Sequence, residues 1–234
     1  MFTKTAQFYD AVYSFKDYPQ EAERIHEVIE SHLKSGGTDL VDVACGTGKH
    51  LFEFTKWFNV YGVDLDPELL RIAAGPIQEE RLYEGDMRTF DLGFKVDIVT
   101  CLFSSVAYMT TIDELRQAVA NLVRHLKPGG VLVLEPFLYP ESWTPGFLHF
   151  LHVDEPDLKI ARMSRSEQSG RVAILNFEYL IGTPEGVFRE SERHELGLFK
   201  QSEYEAAMTN CGLQVDYDPI GPMGRGLFVG VKTD

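Results

Sequence analysis

The stretch LVDVACGTGKHL, residues 40–51, sets the reading of everything around it. It opens with apolar and β-branched residues. It then places small residues at Ala44, Gly46 and Gly48 before polar and apolar residues resume. That order describes a buried strand, a tight turn and the start of a helix. A glycine-rich turn lets a ligand approach the backbone closely, and the helix behind it presents unpaired N–H groups.

Outward from this stretch, strand and helix patterns alternate. Residues 20–34 place Ile25, Val28, Ile29 and Leu33 at helical spacing, and Ser35-Gly36-Gly37 stops that helix. Residues 47–58 are predicted as the helix after the first strand. VYGVDLD (60–66) is the second strand. Asp66 caps the helix that begins at Pro67. RLYEGD (81–86) is a short third strand. VDIVTCLF (96–103) is continuously apolar, as a parallel strand covered on both faces must be. Residues 112–126 form an amphipathic helix with Leu115, Val119 and Leu122 on one side, ended by Pro128-Gly129-Gly130. VLVLEPF (131–137) is the fifth strand. This is a doubly wound α/β pattern.

From about residue 138 the texture changes to period-two stretches separated by Ser-Gly and Thr-Pro-Glu-Gly turns. These predict antiparallel strands. A helix over 202–212 and two closing strands end the chain. The fold expected is a single α/β domain over 1–234, Rossmann-like, mostly parallel with a C-terminal antiparallel hairpin. It carries an N-terminal cap (1–36) and an antiparallel β insertion (138–197).

Composition narrows the function. Hydrophobic residues make up 44% of the 234 and charged residues 25%, which supports a sizeable core. The formal charge of −14 argues against a nucleic-acid partner, which needs a basic face. No run of about 18 apolar residues offers a membrane span, and the first residues lack the apolar core of a signal peptide. Cys45, Cys101 and Cys211 are scattered, without zinc spacing or a disulfide framework, so no metal is expected and a cytoplasmic setting is.

Two phosphate-binding readings of the glycine turn fail. A triphosphate loop needs Gly-x-x-x-x-Gly-Lys-Ser/Thr, but Gly48-Lys49 is followed by His50, and Val43 stands where the first glycine belongs. A dinucleotide fingerprint needs a third glycine, where Leu51 stands. The motif Asp42-Val43-Ala44-Cys45-Gly46-Thr47-Gly48 instead resembles the first motif of class I S-adenosylmethionine-dependent methyltransferases. Asp64 at the end of the second strand, Gly85-Asp86-Met87 after the third and Leu126-Lys127-Pro128-Gly129-Gly130 before the fifth match their further motifs in order. The resemblance implies S-adenosylmethionine as cofactor, contacted by Tyr18, Asp42, Ala44, Gly46, Gly48, Asp64, Leu65, Asp86, Met87 and Leu102. In it, Asp64 takes the ribose hydroxyls and Asp86 accepts from the adenine amino group.

A closer resemblance spans nearly the whole chain. Tyr9-Asp10 through Tyr18, CLFSSVAYM (101–109), EPFLYPESW (135–143), FKQSEYEAA (199–207) and GPMGRGLFVGV (221–231) are similar to stretches of the TDP-amino-sugar N,N-dimethyltransferases. This implies a small-molecule acceptor, a TDP-sugar carrying an amine. Arg225 between two glycines is unhindered and suited to fork onto a diphosphate, with Arg162 and Arg165 as further cations. Tyr13, Phe103 and Tyr108 would wall the acceptor, with Phe137, Tyr139 and Trp143 beside them. Tyr13 and Tyr108 are the catalytic candidates, to hydrogen-bond or orient the amine. His194 is read as a structural histidine, with a proton acceptor as the alternative.

Phe2 and Phe8 are expected to pack the cap down. Insertion residues such as Ile174, Leu175 and Phe177 are expected to serve a homodimer. Two other readings stay open: a methyltransferase for another small metabolite (a glycine-like amine, a hydroxyl or a carboxylate-bearing acceptor), and a cofactor-binding protein without chemistry.

Overall fold

A computed structural model describes residues 5–233 of the chain, so Phe2 lies outside the described residues. The first strands run β1 (Asp39–Val43), β2 (Asn59–Asp64), β3 (Leu82–Glu84), β4 (Val96–Cys101) and β5 (Leu126–Leu134), all parallel. After an insertion, β10 (Leu213–Asp218) and β11 (Leu227–Lys232) complete the sheet in the order β10-β11-β5-β4-β1-β2-β3. Only β10 and β11 run antiparallel to their neighbours. Successive strands are laid to one side of β1 up to β3 and then to the other side from β4. The strand order therefore reverses between β1 and β4, and an open sheet binds ligands at the C-terminal ends of such strands.

Helices cover both faces. α2 (Tyr18–His32) and α3 (Lys49–Phe54) bury Ile25, Ile29, Leu51 and Phe54 on one. On the other, α5 (Ile112–Arg124) and α6 (Gln201–Thr209) bury Leu115, Val119, Leu122, Tyr204 and Met208. β4 is buried at every position, as its unbroken apolar run requires. α4 (Pro67–Ala73) starts as predicted, with the Asp66 side chain accepting the Glu68 N–H.

Two predicted boundaries move. α3 covers only Lys49–Phe54 of the expected 47–58, because Gly48 enters it in a left-handed conformation and Thr55 to Phe58 close in turns. Pro128-Gly129-Gly130 does not end α5, which stops at Arg124. These residues instead lie within β5, at an irregularity between Val96 and Ile98 of β4. The Gly129 carbonyl accepts the N–H groups of Lys34 and Ser35 at 2.9 and 3.0 Å. A Cβ on Gly129 would sit 2.9 Å from the Ser35 nitrogen, and its φ is +74°. The glycine lets the end of α2 dock onto β5.

The insertion folds as a separate antiparallel sheet of β6 (Leu148–Glu155), β7 (Leu158–Ser169), β8 (Val172–Thr183) and β9 (Gly186–Gly197). Ile160, Phe177, Tyr179 and Ile181 pack against Phe8, Val12 and Tyr13 of the cap. Its covered face is not apolar throughout: Arg162, Ser164, Ser166, Glu192 and His194 are buried there too. Ile174 and Phe177, expected at a subunit boundary, are already buried within the chain. The short cap helix α1 (Tyr9–Val12) follows a turn whose Phe8 packs near Phe188 of β9.

α5 begins with a reciprocal cap. The Glu114 N–H donates to the Thr111 hydroxyl at 3.2 Å, and the Glu114 carboxylate accepts the Thr111 N–H. Thr111→Ala is expected to remove about 1 kcal/mol and lower Tm by about 2–4 °C in a calorimetric scan, while Thr111→Ser retains most of both.

Candidate functional site

Two adjoining clefts open over the C-terminal ends of β1, β2 and β4. The larger, about 260 Å3, is lined by Tyr9, Val43, Ala44, Gly46, Asp64, Leu65, Asp66, Leu69, Gly85, Asp86, Met87, Arg88, Ser105, Tyr108 and Met109. The smaller, about 40 Å3, continues past Tyr9, Ala44, Gly46 and Ser105 to Tyr18, Asp42, Thr47, Lys49, His50, Leu102 and Phe103.

The turn after β1 is built for close approach. Ala44 and Gly46 both adopt positive φ, at 61° and 58°. A Cβ built on Gly46 meets nothing within 4 Å, so a side chain there would project into open cleft space. Asp64 stands across from it, 8% exposed. Its Oδ2 accepts the Gly46 N–H at 2.7 Å and its Oδ1 the Asp66 N–H at 2.9 Å. Each oxygen keeps a second lone pair for a ligand hydroxyl. With Asp86 paired to Arg88, the carboxylates of Asp64 and Asp66 leave this cleft net acidic, which disfavours phosphates and suits a neutral or cationic ligand.

Most sequence-predicted cofactor residues come together here: Tyr18, Asp42, Ala44, Gly46, Asp64, Leu65, Asp86, Met87 and Leu102 all line one cleft or the other. Gly48 does not. A Cβ there would meet the Ala73 side chain at 3.1 Å, so this glycine serves the packing of α3 against α4. The Asp86 carboxylate is also less open than expected. Arg88 folds back on it from two residues ahead, with Nε at 3.0 Å from Oδ1 and Nη2 at 2.5 Å from Oδ2, and draws its pKa down.

The aromatic candidates gather behind the smaller cleft. Tyr13 is buried, with its ring centroid 5.2 Å from that of Phe103 and its hydroxyl accepting from Arg162 Nη1 at 3.3 Å. The Arg162 guanidinium, on a residue 5% exposed, also lies over the Phe177 ring. Arg225 reaches in from the loop before β11; its Nη1 donates to Ser104 Oγ at 2.6 Å and its guanidinium lies over Phe103. Phe103 and Ser104 both hold positive φ. Tyr108 lines the larger cleft, and its hydroxyl lies 2.7 Å from His194 Nδ1.

Arg162 also lines a third cavity of about 400 Å3, with Phe137, Trp143, His149, Ser164, Ser166 and Phe177. Arg162 Nε and Trp143 Nε1 are buried without a partner among the described residues. Tyr13 lies between Phe103 of the smaller cleft and Arg162 of this cavity. Two candidates fall outside the constellation. Arg165 is exposed and pairs with Glu167, because it sits one residue out of phase with Arg162 on β7. Tyr139 is paired with the Tyr217 hydroxyl at 2.8 Å.

Tyr9 of the cap lines both clefts, and the structure adds three residues that sequence reasoning missed: Asp10, Lys16 and Glu135. Asp10 accepts from Thr47 Oγ1 at 2.7 Å and pairs with Lys49 at 3.1 Å, latching the cap onto the glycine turn. Lys16, whose ammonium lies 4.0 Å from the Phe103 ring centroid, pairs with buried Glu21 at 2.8 Å. Glu135 accepts the Phe103 N–H at 2.7 Å. Tyr9-Asp10 and Glu135 stand inside the stretches that carried the family resemblance, which was the available signal.

Comparison with known proteins resolves what this constellation belongs to. A family model described as a methyltransferase domain matches residues 40–130. The dTDP-3-amino-3,4,6-trideoxy-α-D-glucopyranose N,N-dimethyltransferase of Streptomyces venezuelae is 42% identical over 97% of this chain and 98% of its own. The chain belongs to the amino-sugar N,N-dimethyltransferases, a family of class I S-adenosylmethionine-dependent enzymes. Another member, the dTDP-4-amino-2,3,4,6-tetradeoxy-D-glucose N,N-dimethyltransferase of Saccharopolyspora spinosa, is 37% identical over 97% of this chain and 92% of its own. The fold is shared with S-adenosylmethionine-bound CalS10, an amino pentose methyltransferase from Micromonospora echinaspora involved in calicheamicin biosynthesis. The TM-score is 0.87, with 40% identity over 96% of both chains. This methyltransferase therefore uses S-adenosylmethionine.

Asp42 gives the cleft a measurable pH signature. It is 3% exposed, accepts from Thr100 Oγ1 at 2.7 Å, and burial pushes its carboxyl up to about 7. Protonated Asp42 favours the folded chain at low pH. That contribution fades as pH rises from the unfolded value of about 4 through about 7. Asp42→Asn removes the dependence and keeps an acceptor for Thr100. The Tm of the ligand-free variant relative to the parent is expected to rise from about pH 5 to about pH 8; parallel curves would refute a protonated Asp42.

Proposed function

We propose that this methyltransferase methylates the amino nitrogen of a nucleoside-diphosphate-linked sugar, a TDP-sugar by analogy with its relatives. The observation that carries the reading is the largely apolar, aromatic-walled cavity that holds the buried Arg162 guanidinium in a chain of net charge −14, set behind the cofactor clefts. A nucleotide's aromatic base and anionic diphosphate match its Phe137, Trp143 and Phe177 walls and its buried guanidinium. Arg225, whose guanidinium lies over the Phe103 ring, is a second cation for the diphosphate.

S-adenosylmethionine, when bound, supplies an activated methyl group. Asp64 takes the two ribose hydroxyls on its remaining lone pairs. Met87 and Leu65 flank the adenine, and Asp86 shares its carboxylate between Arg88 and the adenine amino group. Ala44, Gly46, Tyr18 and Leu102 enclose the methionine portion, and Tyr9 closes the boundary between the clefts. Tyr13 and Tyr108 orient the acceptor amine for in-line attack, and Phe103 helps to exclude water. Alignment and a dry site are what these side chains supply to the methyl-transfer step itself.

The enzyme works as a homodimer in the cytoplasm. Among the described residues, no helix is long and apolar enough to cross a membrane, and Cys45 and Cys101 are free thiols. The outer face of the insertion sheet exposes Leu148, Phe150, Met163 and Leu180, with Phe150 directly opposite Met163 across β6 and β7. An exposed apolar patch of this kind marks an interface. Light scattering is expected to give twice the chain mass, falling towards the chain mass in Met163→Arg; a monomeric parent would remove the dimer.

Binding tests the acceptor. S-adenosylhomocysteine is expected to raise Tm, since a ligand at about a hundred times its Kd stabilises the native state by about 2.7 kcal/mol. TDP added on top is expected to raise it further. Asp64→Ala should lose the first shift, and Arg225→Ala should keep the first and lose most of the second. A first shift with no second, for TDP and TDP-sugars alike, would overturn the nucleotide-sugar reading and leave the methyltransferase in place.

A further inference from the structure

The covered face of the insertion sheet carries a line of acid–base groups that begins in the cofactor cleft. Tyr108 closes the turn Ser105–Tyr108 after β4 and lines that cleft. Its hydroxyl is 2.7 Å from Nδ1 of His194, a residue of β9 that is only 2% exposed. Nε2 of the same ring lies 3.4 Å from Glu192 Oε2, two residues back on the same face of the strand. Glu192 is itself buried and held from both sides. Thr5 Oγ1 donates to its Oε1 at 2.8 Å, and the Tyr179 hydroxyl donates to Oε2 at 3.4 Å. The Phe177 ring packs on the imidazole, with centroids 5.0 Å apart.

The partners assign the protons. Burial holds His194 below the ordinary histidine value, and the positive charge of Arg162 adds to that. The ring is therefore neutral near neutral pH and carries one N–H. The Glu192 carboxylate accepts but cannot donate, so that N–H sits on Nε2. Nδ1 is then an acceptor, and the Tyr108 phenol donates to it. A phenol whose hydrogen is committed to Nδ1 keeps its oxygen lone pairs for an N–H donor in the cleft. Burying an imidazole and a carboxylate beneath a small sheet is costly unless they are paired in this way. Apolar residues such as Leu196 and Ile181 fill other positions of the same face.

We propose that Tyr108, His194 and Glu192 form a proton relay that takes up the proton left on the acceptor nitrogen after methyl transfer. The inference rests on the amine acceptor proposed above. The nitrogen lone pair forms the new N–C bond, the C–S electron pair leaves with sulfur, and the nitrogen is left with one proton too many. That proton passes to the Tyr108 oxygen while the phenol's own proton moves to His194 Nδ1. The phenol stays neutral, and the imidazolium that results is stabilised by Glu192. When product leaves and water enters the cleft, the proton returns along the same path. The relay makes a monomethylated amine neutral again, which a second methylation of the same nitrogen requires. Tyr108 is the catalytic residue of the three; His194 and Glu192 act through it.

The test reads the ring and the chemistry separately. In nitrogen-15 spectra of the ligand-free full chain, His194 is expected as the Nε2–H tautomer, titrating below an ordinary histidine, with Nδ1 shifting in Tyr108→Phe. An Nδ1–H tautomer, or an Nδ1 resonance unmoved by Tyr108→Phe, overturns the relay whatever the acceptor is. The chemistry is read with dTDP-3-amino-3,4,6-trideoxy-α-D-glucopyranose, the acceptor named for the Streptomyces venezuelae relative. Tyr108→Phe and His194→Gln are expected to lower kcat by about a hundredfold below the amine's own pKa and much less above it. KM is expected to change little, and monomethylated product to accumulate. Glu192→Gln should give an intermediate loss. A loss independent of pH, with no monomethylated product accumulating, overturns the relay and leaves the pair as a structural tie. Failure of the parent enzyme to methylate this sugar refutes that acceptor, and the relay then stands or falls on the imidazole spectrum.

Discussion

The cofactor cleft depends on two backbone N–H groups converging on one carboxylate. Asp64 ends β2, Gly46 lies in the turn after β1, and Asp66 starts the capped entry into α4; the Asp64 oxygens accept from both. Hydrogen bonds to a charged group are the stronger kind. Here they fix the spacing between two strand ends and offset part of the cost of burying the carboxylate, whose pKa burial still raises. Parallel strands β1 and β2, paired from Asp39↔Asn59 to Val43↔Val63, bring those ends to one level. Removing Asp64 would loosen the turn as well as remove the carboxylate proposed to hold the cofactor.

A second constraint is conformational strain at the wall facing that turn. Phe103 and Ser104 are consecutive non-glycine residues with positive φ, an arrangement that persists only where surrounding contacts over-determine it. The contacts are visible. Glu135, at the end of neighbouring β5, accepts the Phe103 N–H. Ser104 Oγ donates to the Pro136 carbonyl at 2.7 Å and accepts from Arg225. Arg225 thus braces the wall formed by Phe103 and Ser104. Lys16 and Arg225 both offset the charge of buried Glu135, although burial still raises its pKa.

The insertion sheet mixes polar residues into an otherwise apolar covered face and apolar residues into an otherwise charged outer one. Its outward face exposes Phe150, Met163 and Leu180, while its covered face holds Arg162, Ser164, Ser166, Glu192 and His194. Buried polar groups are more informative than exposed apolar ones. They give this chain of net charge −14 a local cationic cavity and a hydrogen-bonded line from Tyr108 to Glu192. The sheet is held by Phe177, Tyr179 and Ile181 against the cap, so the cap and the insertion sheet are one packed unit.

How much of this was legible in the sequence follows from the range of each interaction. The strands of the main sheet, their order of appearance and the capping of α4 were written locally, in apolar periodicity and in the Asp66-Pro67 pair. The glycine turn and Asp64 were legible because strand ends in a parallel sheet are read from the chain alone. The Pro-Gly-Gly run was misassigned, and the packing of Gly48 against Ala73 went unread, because the neighbours, Ser35 in one case and Ala73 in the other, are distant in sequence. Arg162, Ser164 and Ser166 recur every second residue, a pattern consistent with a solvated face until packing shows which side is covered. The pairing of Tyr108 with His194 spans 86 residues, and nothing local marks it. The sequence determined the doubly wound sheet, its ligand edge and the cofactor class, because those follow from local pattern. Tertiary packing alone decided which face of the insertion turns inward, and with it the cavity around Arg162 and the groups behind Tyr108.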